Sequence, residues 1–169
     1  AYATDNYFYM VIDRPTNSTW LTTDMGDCSV GEICMDEDVM LEIARDDDNP
    51  TEADLADKKG WYLELAPHEQ VVTSAITVFG GVTFSTHIPT VPEPGACSSD
   101  LGTANVYNVR YRNAAPSRPG ALNRYEEIEG GGLPPSPVAG QVRLDDGTIV
   151  PFIIGADPSS PLEGGLPVP

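Results

Sequence analysis

The chain has 169 residues, 26 acidic against 9 basic, for a net charge of −17, and its sequence pI is near 4.1. That balance argues against a nucleic-acid partner, because lysine and arginine must displace the counterions of phosphate, and against an anionic lipid surface for the same reason. The length suffices for a domain that buries roughly 70% of its unfolded surface, and no apolar run approaches the ~20 residues that span a bilayer.

Taken in chain order, Ala1 to Asp13 (AYATDNYFYMVID) predicts one or two strands broken at Asp5-Asn6, and Thr19 to Thr23 a short strand after the turn at Pro15-Thr16-Asn17. The start opens inside a strand with no Met, basic n-region or apolar h-region, so the chain is expected to be a fragment, any export signal lying upstream of it or having been removed. Cys28 and Cys34 enclose SVGEI, where Gly31 permits a tight return, and a local disulfide between them is expected outside the cytoplasm. Cys97 is then the odd thiol, free and buried or paired elsewhere. Spacing of five residues between Cys28 and Cys34, with no second pair nearby, is poor for zinc.

Val39 to Ala44 reads as a strand or the start of a helix, with the strand favoured as a continuation from the Cys34 hairpin, and Arg45 to Pro50 as a polar break. Thr51 to Lys59 predicts a short helix: Thr51 caps amides near Asp54, acids occupy the first turn, Lys58 and Lys59 the last, and Gly60 follows as the C-cap. The acidic run places side-chain oxygens at Asp46, Asp48, Glu52, Asp54 and Asp57. Calcium takes roughly six to eight oxygens, so this run is the candidate metal site, against the alternative of a solvated loop leading into the capped helix. It departs from an EF-hand loop at Pro50, Thr51 and Asp57.

From Lys59 to Arg112 the chain reads as strand, turn and strand. Aromatic and β-branched residues fill Trp61 to Leu65, Val71 to Phe79, Val82 to Ile88 and Asn105 to Tyr111, with Gly or Pro at the boundaries. Val82, Phe84, Thr86 and Ile88 alternate with Thr83, Ser85 and His87, a period of two that predicts one buried face. Asn113 to Ala121 is loop, Leu122 to Ile128 an outer strand, and Gly130 to Pro137 an extended connector stiffened by Pro134 and Pro135. Val138 to Leu144 and Thr148 to Ile154 form a hairpin about Asp145-Asp146-Gly147, in which Pro151 predicts an edge strand or a bulge. Residues 1–155 thus form the domain, and 156–169 an extended Pro/Gly-rich tail.

Neither His68 nor His87 has an acid or thiol at ligand spacing. Ser98-Ser99-Asp100 lacks the glycines of a nucleophile elbow, and Gly130 to Gly132 neither follow a strand nor open a helix. Asn17-Ser18-Thr19 is a formal glycosylation sequon. The residues therefore point to a non-enzymatic module. A fragment of a quinoprotein-type propeller enzyme is the competing class, for which no cofactor-flanking motif is present.

Within Lys59 to Arg112, Gly-Trp-Tyr-Leu precedes a Val-Val pair, followed by Phe-Gly-Gly-Val-Thr-Phe-Ser-Thr and Cys-Ser-Ser-Asp-Leu-Gly-Thr-Ala. This run resembles the C-terminal β-propeller of PilY-type type IV pilus biogenesis factors and tip adhesins. Ala1 to Asp13 is similar to inner blade strands of that family, and Gly130 to Gly155 to its closing segment. The resemblance implies an all-β fold, part of a β-propeller. A blade takes ~40 to 50 residues, so the chain supplies about three to four blades and does not close the ring alone. It also implies an Asp-rich calcium loop, a place at the cell surface, on the pilus or in the outer membrane or periplasm, and a role in pilus assembly and surface adhesion. The implied partners are the rest of the same propeller protein, minor or major pilins, and a host or abiotic surface. A calcium-regulated extracellular structural module is the remaining alternative.

Overall fold

A computed structural model describes residues 4–12, 39–56, 58–78, 80–90, 95, 101–118 and 120–155. Cys28, Cys34, Cys97, Asp57, the expected strand at 19–23 and the tail 156–169 lie outside the described residues.

Ten strands form in chain order: β1 (Tyr7–Val11), β2 (Leu41–Ala44), β3 (Gly60–Glu64), β4 (Gln70–Val71), β5 (Ile76–Val78), β6 (Gly81–Ile88), β7 (Thr103–Arg110), β8 (Tyr125–Glu127), β9 (Val138–Arg143) and β10 (Ile149–Ile154). They build a three-stranded sheet ordered β1-β3-β2, a five-stranded sheet ordered β4-β6-β7-β8 with β5 also on β6, and the hairpin β9-β10. The all-β expectation holds among the described residues, and none of the three sheets closes on itself. β2 pairs with β3 in parallel, the one parallel ladder described, so the smaller sheet is mixed.

The core lies where the first two sheets meet. Trp61 and Leu63 of β3 pack with Val82 and Phe84 of β6 and Tyr107 and Val109 of β7. Period-two alternation aims these side chains to one side of each strand, and burial of each is worth roughly 1.5–3 kcal/mol. Phe8 of β1 stacks on Phe84 at 4.0 Å between ring centroids, and Phe84 on Tyr107 at 4.8 Å. The Trp61 indole N–H donates to the Tyr111 carbonyl at 2.8 Å, satisfying the polar end of a wholly buried ring. Tyr62 points to the opposite side, against Tyr7 and Tyr9.

Four expectations are corrected. No helix forms among the described residues of 51–59. Its cap is present, with Thr51 N–H donating to Asp54 Oδ2 at 2.8 Å and Asp54 N–H to Thr51 Oγ1 at 3.4 Å. Residues 52–56 are turns, closed by bonds such as Ala56 N–H to the Ala53 carbonyl. A segment this short does not repay helix nucleation, and Lys59 N–H donates instead to the Val39 carbonyl, drawing the chain into the sheet. Gly60 accordingly opens β3 rather than capping a helix. Its φ is +153°, and a Cβ there would stand 2.0 Å from the Met10 carbonyl oxygen of β1.

The single strand expected at Val71 to Phe79 is two. Val71 stands opposite Thr86 and Ile76 opposite Thr83, so residues 72–75 face only 84–85. Thr73 Oγ1 fills the gap by accepting the Ser85 N–H at 2.8 Å. β6 is buried on both faces, not one: Thr83 and Ser85 are as enclosed as Val82 and Phe84. The second face tolerates this because Thr83 Oγ1 donates to Asn108 Oδ1 across the strands. The outer strand expected at Leu122 to Ile128 shrinks to β8.

Candidate functional site

A carboxylate sits at the junction of the two packed sheets. Pro67 and His68 turn the chain after β3. His68 occupies the positive-φ position (65°) and Glu69 N–H closes the turn on the Ala66 carbonyl at 2.9 Å. The turn delivers Glu69 inward, where its side chain is wholly buried. A buried charge persists only when paired and hydrogen-bonded, and five donors meet this one.

Arg45 Nη1 and Ala66 N–H reach Oε2 at 3.0 and 2.8 Å. Asn105 Nδ2 reaches Oε1 at 2.9 Å, Thr86 Oγ1 makes a short bond to the same oxygen, and the Tyr107 hydroxyl lies 3.1 Å from both. Asn6, just before β1, donates to the Glu69 main-chain carbonyl at 2.8 Å. The Glu69 carboxylate therefore joins the end of β2, β6 and β7, and its main-chain carbonyl ties in the entry to β1. Burial first, then the negative charge of Glu69, raises the Tyr107 pKa far above that of a free phenol, with Arg45 opposing. Tyr107 is a fixed donor, and Glu69 spends its lone pairs on fixed donors. That chemistry fastens sheets; it leaves no free base in the cluster.

Arg45 extends the cluster outward. Its guanidinium lies 3.8 Å from the centroid of the Tyr125 ring and 3.4 Å from Asp46 Oδ2. Beside it Arg124, only 3% exposed, binds main-chain carbonyls instead of carboxylates: Ala114 through Nε at 2.9 Å, Arg45 and Asp47 through Nη1 at 3.1 and 2.6 Å, and Asp48 through Nη2 at 3.1 Å. Burial lowers its pKa, against the opposing charges of Asp47, Asp46 and Asp48. The acidic run is thus wrapped around a buried arginine.

The predicted calcium residues are divided by this arrangement. Asp48 and Asp54 share the lining of an open cleft of about 230 Å³ with Leu41, Glu42, Ile43, Asp47 and Pro50. Asp46 turns to Arg45 and to the Tyr125 hydroxyl, and Glu52 is exposed. Asp54 is held by Thr51, whose hydroxyl and amide bonds lower the Asp54 pKa. Among the described residues no three His, Cys, Asp or Glu side chains converge on a metal position. His87 Nε2 lies 2.7 Å from the Leu101 carbonyl, beside the strand ladder.

Sequence reasoning missed Glu69, Arg45 and Arg124. The available signal was polar residues at inward positions of buried strands, Thr86 and Asn105, which demand a polar partner. No protein family, curated protein or solved structure matches the chain.

Proposed function

We propose that the chain is a non-enzymatic structural and binding module of type IV pili, part of a β-propeller that supports pilus assembly and tip-mediated attachment. The observation that carries the reading is that the described residues of the stretch resembling PilY-type propellers, Lys59 to Arg112, supply β3, β6 and β7, the central strands of open-edged sheets. Its deepest charged group, Glu69, is spent on holding those sheets together. Such a scaffold works mechanically, presenting loops and edges to further strands of the same protein, to pilins and to a surface. The test is deletion of this region in a piliated bacterium, with Phe84→Ala as a sheet-breaking variant. Loss of surface pili, twitching or attachment in both supports the reading. Unchanged piliation and attachment, or turnover of a small molecule abolished by one substitution, overturns it.

A second reading, a calcium-regulated module, rests on the acidic run itself, of which Asp48 and Asp54 line one cleft. Chelation would then lower the melting temperature, and added calcium would restore it by mass action. A calcium-independent melting temperature leaves the first reading alone.

A further inference from the structure

The β9–β10 hairpin is built like a strand pair waiting for a third. Its register sets Val138, Gly140 and Val142 on one face with Val150, Phe152 and Ile154. The Phe152 ring lies across Gly140, where a Cβ would stand 2.5 Å from the ring. Yet Val138 is 58% and Val142 46% exposed. A two-stranded hairpin is marginal by itself, and its β9 strand approaches β5 without forming a ladder with it.

The edges of the hairpin are unequal. Leu144 N–H donates to the Thr148 carbonyl at 2.8 Å, which makes 144 and 148 a hydrogen-bonded pair. Bonded pairs recur at every second position, so Val142 with Val150, Gly140 with Phe152 and Val138 with Ile154 bond inward. The main-chain groups of Ala139, Gln141 and Arg143 on β9, and of Ile149, Pro151 and Ile153 on β10, therefore face outward. Pro151 has no N–H, and it stands at the middle of the outer edge of β10. That edge is blunted, whereas β9, among the described residues, offers an unbroken row of outward donors and acceptors.

We infer that the β9 edge takes an added strand from another polypeptide, a segment of alternating apolar residues with Lys or Arg at its ends. Its apolar residues would flank Val138 and Val142 and widen the apolar face, and its basic end at the hairpin tip would meet Asp145 and Asp146 within a chain of net charge −17. A second copy of this chain fits worse, since pairing would set two such charges against each other. The inference does not require the pilus reading, because it rests on the β9 edge, the exposed hairpin face and the charge of the chain.

The probe is a synthetic peptide of alternating valine and threonine with lysine at each end, added to the full chain. Amide exchange at Ala139, Gln141 and Arg143 is expected to slow at least tenfold, with binding weakened by salt. An aspartate-ended peptide is expected to bind at least tenfold more weakly. Gln141→Pro removes an outward N–H but no hairpin bond and is expected to reduce binding tenfold or more. Val142→Lys, at an exposed position, provides the same loss should Gln141→Pro disturb folding. Absence of binding, protection of Ile149 and Ile153 in place of the β9 amides, or equal binding of the acidic peptide overturns the inference. So does concentration-dependent dimerisation that protects the β9 edge without peptide.

Discussion

The β6–β7 ladder and the β9–β10 hairpin are both antiparallel pairs with alternating side chains, yet one is enclosed and the other open. Along β6 and β7, Val82, Phe84, Tyr107 and Val109 are wholly buried. Along the hairpin, Val138, Val142 and Ile149 are largely exposed. The residues are of similar type, and the difference lies in what covers them: β3 and the aromatic rings of Phe8 and Trp61 lie over the first pair. Alternation specifies a strand with an apolar face; a second layer turns that face into core.

The largest expected effect tests that contrast directly. Phe84→Ala should destabilise by roughly 3–5 kcal/mol, because it empties the stack between Phe8 and Tyr107. Val142→Ala should cost less than about 0.5 kcal/mol in the isolated chain. Urea unfolding of the two variants measures both. Similar losses would mean that the hairpin face is already covered.

Glu69→Ala should approach Phe84→Ala in size, about 3–5 kcal/mol, since it leaves Thr86, Asn105 and Tyr107 buried, and Arg45 half-buried, around a lost acceptor. Glu69→Gln keeps one acceptor oxygen and should cost less. If the carboxylate joins the sheets as argued, Glu69→Ala and Arg45→Met should be non-additive in a double-mutant cycle. Strict additivity would detach Arg45 from the cluster.

The strands were legible because their information is local. Trp61 to Leu65, Val82 to Ile88, Asn105 to Tyr111 and the hairpin about Asp145-Asp146-Gly147 each carry their period and their turn within a few residues, and each forms. Glu69 was not legible, because its partners stand at 45, 66, 86, 105 and 107 and are gathered by topology. The helix at 51–59 failed in between. Its capping residues bond as expected, but Lys59 answers to Val39 across the sheet, a non-local demand that a short helix cannot outweigh. Likewise the break between β4 and β5 depends on Thr73 meeting Ser85, two residues whose pairing no periodicity announces.

A smaller effect is expected on the enclosed side of β6. Ser85 Oγ is buried without a hydrogen-bond partner among the described residues. Ser85→Ala removes that unpaired hydroxyl and leaves the backbone bond to Thr73, so the variant should be as stable as the parent or more stable by up to about 1 kcal/mol. A loss of stability in thermal unfolding would reveal a partner for the hydroxyl and weaken the account of how this face is packed.

The smallest effect belongs to the hairpin tip and sharpens the contrast through pH. Asp146 accepts the Thr148 N–H at 2.8 Å, and this bond holds its carboxyl below the ordinary aspartate value. A depressed folded pKa contributes stability that is present above the unfolded value, ~3.9, and is lost as pH falls through the lower folded one. The turn, not the core, should therefore loosen in that acid window: amide exchange in β9 and β10, corrected for its intrinsic pH dependence, should speed up while β6 and β7 stay protected. The Asp146 carboxyl carbon and the Thr148 amide should follow one NMR titration curve, with a midpoint below that of the unfolded peptide. A midpoint at or above the unfolded value would remove the bond from the turn, and simultaneous loosening of β6 and β7 would show that hairpin and core unfold as one unit.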